Sequence, residues 1–304
     1  MTKAGAYPVL FLAVLVLADG GVQAAESASY TAYALGKYMT ARKLAEDEAA
    51  KGSKEAYTLL GEIYAEGLGV AQDDKKAAEA YRKGADLGDV NAQFALGSFM
   101  LDGRGVKKDP AAAADLFEKA AKNGHPMAQY NLALIYLDGK GRQADEVKAA
   151  EWMQKAAGQS LPQAEYDLGG FYQFGRGVPV DRIKAAEWTG KAADAGMPEA
   201  EVEYGVMLFN GEGVAIDEQR AAKMFRMSAE QGNPVAQNRL ARLYANGVAV
   251  GAVDPVQAAK WHLLAREAGV SDFTLDIMLA KLTPEQRDAA DKAVQAWRDQ
   301  HLNE

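Results

Sequence analysis

Residues 162–197 read PQAEYDLGGFYQFGRGVPVDRIKAAEWTGKAADAGM, and this stretch contains every feature that decides the fold. A proline opens it, a Gly-x-Gly motif at Gly175 and Gly177 divides it, and Asp181 begins an alanine-rich second half. The same order of residues returns at a step of 36. The Gly-x-Gly motif lies at Gly67/Gly69, Gly103/Gly105, Gly139/Gly141, Gly175/Gly177 and Gly211/Gly213. Such a period is typical of one elongated array of repeats and argues against two globular domains.

Each repeat is predicted to be a pair of helices, A and B. Ala164, Leu168 and Tyr172 recur at a spacing of four, which places them on one face of helix A. The first glycine ends this helix, and Asp181 caps helix B by accepting from its free backbone amides. We therefore expect an all-α, right-handed α/α solenoid of about six 36-residue hairpins. Helix B is expected to bury Tyr81, Phe117, Trp152, Trp188, Phe225 and Trp261.

The complete pattern resembles the Sel1-like repeat family, a relative of the tetratricopeptide repeats. It consists of an alanine-rich helix, Gly-x-Gly-Val, an aspartate and Lys-Ala-Ala-x-Trp, and residues 103–106 and 184–188 follow it closely. The resemblance spans residues 56–269. Arg142 departs from the pattern, and the sixth repeat has one extra residue before Asp254, where we expect a distorted loop. The resemblance implies a protein that holds other molecules, often in the cell envelope.

The ends of the chain differ from the repeats. Lys3, the apolar residues 8–18 and the small residues before position 25 predict a signal peptide over residues 1–24, cleaved after Ala24. The alternative is an uncleaved anchor, although this apolar stretch is shorter than the roughly 20 residues that span a bilayer. The other predicted segments are a degenerate N-terminal repeat (25–54), the repeat solenoid (55–272) and a C-terminal capping helix (273–304), in which Thr283 and Gln286 form a capping box. We expect a periplasmic or secreted monomer.

Composition excludes several kinds of chemistry. The net charge of −8 disfavours nucleic acid and membrane surfaces as partners, and the absence of cysteine removes disulfides and thiolate sites. The three histidines do not share a helical face at ligand spacing, and the common hydrolase and phosphate-loop motifs are missing. We therefore predict no enzyme activity, no catalytic or metal-binding residues and no cofactor.

A partner-binding surface can be predicted from helix A. With Ala164 and its equivalents as position 0, stacking uses positions 0, 4, 5 and 8, so positions 2, 6 and 9 line a concave groove. The predicted partner-binding residues are Phe94, Leu101, Tyr130, Leu134, Leu137, Tyr166, Gln173, Val202, Phe209, Asn238 and Arg242. Exposed aromatic residues of this kind anchor protein segments or stack on sugars. We expect a protein or peptide partner; the alternatives are a glycan or small-molecule binder, a wall hydrolase or β-lactamase-like enzyme, and a groove closed by its own side chains.

Overall fold

The computed structural model describes residues 27–301, so the predicted signal peptide lies outside the described residues. Within that range the chain forms 16 helices and no strand. The helices fall into two compact units, which for the described residues are 27–125 and 126–301. None of the helices between residues 27 and 301 is long and apolar enough to cross a membrane.

The first unit consists of three helical pairs. Its helices are α1 (Ala28–Ala34), α2 (Tyr38–Ala50), α3 (Lys54–Glu66), α4 (Asp74–Asp86), α5 (Val90–Asp102) and α6 (Pro110–Lys122). Each helix packs against the next one in the chain. The pair α1 and α2 precedes the first repeat, and the alanines of α2 pack against Leu59 and Ile63 of α3.

The second unit contains four helical pairs and two further helices. The pairs are α7 (Pro126–Asp138) with α8 (Glu146–Ala157), α9 (Pro162–Phe174) with α10 (Arg182–Asp194), α11 (Pro198–Asn210) with α12 (Glu218–Glu230), and α13 (Pro234–Asn246) with α14 (Pro255–Glu267). After them come α15 (Phe273–Ala280) and α16 (Pro284–His301), both packed against α14. The odd-numbered helices α3 to α13 are helices A, and the even-numbered α4 to α14 are helices B.

The helix boundaries follow the predicted signals. Gly175 ends α9 in the left-handed conformation, with φ of +72°. The side chain of Asp181 then accepts hydrogen bonds from the amides of Ile183 (3.1 Å) and Lys184 (3.0 Å), which opens α10. Equivalent aspartates cap the other helices B: Asp73, Asp109, Asp145, Asp217 and Asp254. The predicted alternation of helices is confirmed.

Within a repeat, a small residue of helix A makes room for a large residue of helix B. A Cβ atom on Gly97 would lie 2.9 Å from the ring of Phe117, and one on Gly205 would lie 2.7 Å from the ring of Phe225. Both rings are buried. Because interiors are packed as densely as organic crystals, neither glycine could gain a side chain without moving the opposite ring.

The prediction for helix B is wrong at two residues. Tyr81, Phe117, Phe225 and Trp261 are buried, but Trp152 and Trp188 are only half-buried. A step of 36 from Phe117 leads to Met153 of α8 and Thr189 of α10, and both are buried. Trp152 and Trp188 lie one position earlier, about 100° around the helix. At this position the ammonium group of Lys155 lies 3.9 Å from the ring centroid of Trp152, and that of Lys191 lies 3.7 Å from the ring centroid of Trp188.

The sixth repeat and the C-terminus largely follow expectation. Ala249 keeps the left-handed conformation of the second glycine with φ of +56°, but Gly251 adds a third left-handed residue (φ +92°) that the other Gly-x-Gly loops lack, so the loop with the extra residue is distorted while α13 and α14 both form. The capping box is present: Thr283 Oγ1 accepts from the Gln286 amide (3.2 Å), and Gln286 Oε1 accepts from the Thr283 amide (3.0 Å). Two helices rather than one follow the last repeat, because Asp272 starts a separate helix, α15.

Candidate partner-binding face

The predicted groove residues are divided between the two units. Phe94 and Leu101 belong to the first unit, and both are half-buried. The ring of Phe94 stacks on His125, with 4.5 Å between the ring centroids, and lies 5.8 Å from Phe117. Burial lowers the pKa of His125 to about 4, so this imidazole is neutral at physiological pH. One face of Phe94 is therefore covered from within the unit.

In the second unit the predicted residues form a surface that we call the helix-A face. It is formed by positions 2, 6 and 9 of α7, α9 and α11: Tyr130, Leu134, Leu137, Tyr166, Gly170, Gln173, Val202, Val206 and Phe209. Their exposure ranges from 7% for Tyr130 to 36% for Phe209, and the others are half-buried. The face thus contains side chains that touch the core on one side and solvent on the other.

Two tyrosine hydroxyls link neighbouring repeats across this face. Tyr130 donates to Asp167 Oδ2 at 2.8 Å, and Tyr166 donates to Glu203 Oε2 at 2.9 Å. In both pairs the acceptor lies 37 residues after the tyrosine, at position 3 of the following helix A. Sequence reasoning missed these carboxylates because only positions 2, 6 and 9 were assigned to the face. The recurrence of an acid 37 residues after a tyrosine was the signal that could have revealed them.

The electrostatic environment of the face is anionic. Burial raises the pKa of Tyr166, and the carboxylates of Glu203, Asp167 and Glu199 raise it further. Burial also raises the pKa of Asp167, although hydrogen bonds from Tyr130 and Gln163 and the positive charge of Arg176 act in the opposite direction. Three carboxylates are therefore close enough to act on one tyrosine.

The end of the face opens into a small cavity of about 210 Å³. Its lining residues are Gln173, Phe174, Arg182, Ala185, Met207 and Glu212. Gln173 Oε1 is buried and has no hydrogen-bond partner among the described residues. A buried acceptor without a donor costs about 1–3 kcal/mol, so a ligand that supplied a donor here would recover part of that free energy.

Asn238 and Arg242, also predicted to bind the partner, are engaged within the chain. Arg242 Nε donates to Asp272 Oδ2 at 2.6 Å, and Asn238 Nδ2 donates to the same oxygen at 3.1 Å. Burial would raise the pKa of Asp272, but these hydrogen bonds outweigh it and keep the pKa below its usual range. In this structure the two side chains hold the start of α15 against α13.

Helices α9 and α11 each contain one buried glutamate. Glu165 and Glu201 occupy position 1, where other repeats have Gln93, Gln129 and Gln237. Glu201 is completely buried; its Oε2 accepts from Gln231 at 3.0 Å, while its Oε1 has no partner in the described part of the chain. Burial raises the pKa of Glu201 to about 7. Over residues 27–301, no three potential metal-ligating side chains lie together.

The fold and this face define the class of the protein: it is a tandem-repeat protein in which helical hairpins obtain their core by stacking on their neighbours. The Sel1 repeat family profile matches six consecutive segments, residues 54–89, 90–125, 126–161, 162–197, 198–233 and 234–270. The chain therefore belongs to the Sel1 repeat family, which confirms the resemblance seen in the sequence.

Solved structures support the same assignment. The chain is similar to a Sel1 repeat protein from Oxalobacter formigenes, with 28% identity, 80% of this chain and 97% of that chain covered, and a TM-score of 0.68. It is also similar to c5321, a protective antigen present in uropathogenic Escherichia coli strains that displays an SLR fold. There the identity is 28%, the coverage is 91% of this chain and 70% of that chain, and the TM-score is 0.55. Comparison with curated proteins finds no match.

Proposed function

We propose that this protein is a non-catalytic interaction scaffold or adaptor of the cell envelope, which binds a protein segment through the helix-A face. Sel1 repeat proteins generally serve as protein-interaction scaffolds and are typically non-catalytic. The proposal of an envelope location is supported by the signal-peptide pattern of residues 1–24.

The observation that carries the proposal is the row of half-buried apolar side chains on the helix-A face. Leu134, Leu137, Val202 and Val206 belong to it, although helix-surface positions of a soluble protein ordinarily carry polar residues. Their partial exposure along one face favours this surface as an interaction site.

The face also has open space at its centre. Gly170 lies at position 6 of α9, and a Cβ atom built on it would meet no atom within 4 Å. Leu134 and Val206 hold the same position in the repeats on either side. An incoming side chain therefore has room above Gly170, which supports an open face over one closed by its own residues.

Gly170 gives a direct test. Residues 25–304 would be used for crosslinked capture from an envelope extract, as wild type, Gly170→Ala and Gly170→Phe. The phenylalanine fills the open space, whereas the alanine serves as a matched control that retains it. A partner that is captured by the wild type and by Gly170→Ala and lost with Gly170→Phe supports the proposal.

Capture of the same proteins by all three forms, at equal melting temperatures, would show that the helix-A face is not the binding surface. Location has its own measurement: fractionation of cells that produce the full chain should recover a shortened protein outside the cytoplasm. A full-length protein in the cytoplasmic fraction would refute the envelope assignment.

A further inference from the structure

Charge is divided unevenly between the two helices in the first three repeats of the second unit, residues 126–233. The helices A of three successive repeats, α7, α9 and α11, carry six carboxylates and no lysine, arginine or histidine. The cations of these repeats lie on the helices B and in the loops. Four of them cover aromatic rings: Lys155 and Lys191 lie over Trp152 and Trp188 of the helices B, and Lys148 and Lys184 lie over Tyr136 and Tyr172 of the helices A. Glu165 and Glu201 are buried and Asp138 pairs with Lys140, so the negative charge of the helix-A face comes from Asp167, Glu199 and Glu203.

Three of these carboxylates surround Tyr166. Glu203 Oε2 accepts a hydrogen bond from the Tyr166 hydroxyl, while Asp167 and Glu199 act on that hydroxyl through their charge. Glu199 is exposed and has no hydrogen-bond or ion-pair partner in residues 27–301. Since the hydroxyls of Tyr130 and Tyr166 are already donated to carboxylates, the groups left for a ligand around Tyr166 are acceptors. The nearby cations lie outside the helices A: Arg176, whose charge acts on Asp167, is in the loop after α9, and Arg182 of α10 lines the cavity beside Gln173.

Apolar surface and a further acceptor adjoin this charge. The open space above Gly170 lies on the same helix as Asp167, and the unpartnered Gln173 Oε1 lies three residues beyond Gly170. The complement of such a surface is a hydrogen-bond donor that carries positive charge on an apolar stem. Lysine and arginine side chains have this form, because their methylene chains pack on apolar surface while the charged group reaches out.

We propose that the helix-A face of the second unit binds a peptide segment of a partner protein in which lysine or arginine alternates with apolar residues. The cationic groups pair with Glu199, Glu203 and Asp167, and an apolar side chain lies above Gly170. Acidic segments are repelled by the same carboxylates, so charge selects the partner and accelerates its association. This inference rests on the proposed function of the face and adds the chemistry of the partner.

The test uses three fluorescently labelled synthetic peptides with the same leucine, alanine and tryptophan positions. The remaining positions carry lysine in one peptide, glutamine in the second and glutamate in the third. Fluorescence anisotropy with residues 25–304 should show that the lysine peptide binds at least about tenfold more tightly than the glutamine peptide, and that salt weakens this preference. The glutamate peptide should bind most weakly.

Variants of the protein test whether the lysine peptide binds at the helix-A face. The triple variant Asp167→Asn, Glu199→Gln, Glu203→Gln neutralises the face. It should bind the lysine peptide about tenfold or more weakly than the wild type does. The single change Glu199→Gln, at an exposed residue, should weaken it measurably without affecting folding. A matched triple control on the helices B, Glu151→Gln, Glu187→Gln and Glu218→Gln, removes the same net charge and should leave binding unchanged.

The outcomes separate the two proposals. Equal affinity for the lysine and glutamine peptides, with both blocked by Gly170→Phe, overturns the charge selection and leaves the proposed function standing. Net charge alone attracts the peptide if the control triple variant loses as much affinity as the face triple variant. The same conclusion follows if Gly170→Phe does not reduce binding of the lysine peptide. Either result overturns the inference, as does a lysine peptide that does not bind.

Discussion

Two glycines with the same backbone conformation have different roles in this chain. Gly213, the second glycine of its motif, has φ of +72°, and a Cβ atom there would lie 1.9 Å from the carbonyl oxygen of Arg182 in the preceding repeat. Gly196, in the turn between α10 and α11, has φ of +83°, and its Cβ would meet nothing within 4 Å. Gly196 is thus required by conformation alone, whereas Gly213 is also required by the close approach of two repeats.

We expect Gly213→Ala to destabilise the protein more than Gly196→Ala. The left-handed conformation costs alanine about 1 kcal/mol at both sites. At Gly213 the backbone must also move away from Arg182, which raises the expected loss to roughly 3 kcal/mol. Urea unfolding of the two variants gives the comparison, and equal losses would show that the contact between repeats is unimportant.

Glu201 makes stability depend on pH. Its folded-state pKa of about 7 lies above the value for an unfolded glutamate, so the folded state holds a proton that the unfolded state releases. Below about pH 4 Glu201 is protonated in both states, so it does not reduce the free energy of unfolding and there is no penalty. As pH rises towards 7 the penalty grows, and above 7 it stays constant.

Replacing Glu201 by glutamine should remove this penalty. The change reproduces the equivalent pair in the third repeat, in which Gln159 Nε2 donates to Gln129 Oε1 at 2.7 Å. At pH 8 we expect Glu201→Gln to be more stable than the wild type by on the order of 2–3 kcal/mol, and near pH 4 the two should be equal. Thermal melts across this range, with exposed Glu199→Gln as the control, would contradict the argument if the difference did not grow with pH.

At the scale of the element, the helices were predictable because each begins and ends on a local signal. Asp181 and Gly175 act on amides and carbonyls only a few residues away, so sequence spacing describes them well. The tyrosine-to-carboxylate bonds depend instead on how neighbouring helices A pack, which spacing within one helix does not specify. The one-position shift of Trp152 and Trp188, in contrast, could have been read from the sequence, because a step of 36 from Phe117 leads to Met153 and Thr189 and adjacent helix positions differ by about 100°.

The short helix α15 depends on one aspartate. Asp272 caps it through the amides of Thr274 (3.1 Å) and Leu275 (3.3 Å) and also accepts from Arg242 and Asn238 of α13. We expect Asp272→Ala to lose about 2 kcal/mol, which combines a helix cap with a charge-assisted hydrogen bond. Amide hydrogen exchange should accelerate mainly in residues 273–280.

Arg242→Ala is the matched comparison for this helix, because it removes the ion pair and leaves the cap. It should accelerate exchange in the same residues by a smaller amount. If the two variants behaved alike, the contribution of the cap would be negligible, and unchanged exchange in both would refute the anchoring role of Asp272.

At the scale of the whole molecule, the period of 36 predicted the class of fold and the number of repeats, and the motif residues within each period carried the resemblance to the family. It did so because, within each unit, successive repeats meet through equivalent residues, as Gly177 meets Glu146 and Gly213 meets Arg182. The cavity beside Gln173 and the contacts of Asp272 could not be predicted in this way. The cavity depends on the packing of α9, α10, α11 and the loop after α11, and Asp272 lies outside the periodic segment.

This equivalence predicts that one repeat can be removed. Deletion of residues 162–197 should leave a folded protein of unchanged helicity per residue and lower urea midpoint, because the solenoid loses one interface between neighbours. After the deletion Gly213 would pack on Glu146, as Gly177 does in the intact chain. Deletion of residues 162–179 alone breaks the alternation of helices A and B and should abolish cooperative unfolding in circular dichroism. A folded product from the second deletion would contradict the register argument.

The open turn at Gly196 also has a practical use. Ala195 beside it is exposed, the neighbouring glycine has empty space around it, and the chain has no cysteine. A single Ala195→Cys change therefore creates a unique attachment point for a dye or a surface tether. It lies in the connection that follows a helix B, away from the Gly-x-Gly loops where neighbouring repeats touch. The protein can be immobilised or followed in single-molecule experiments without altering the contacts between its repeats.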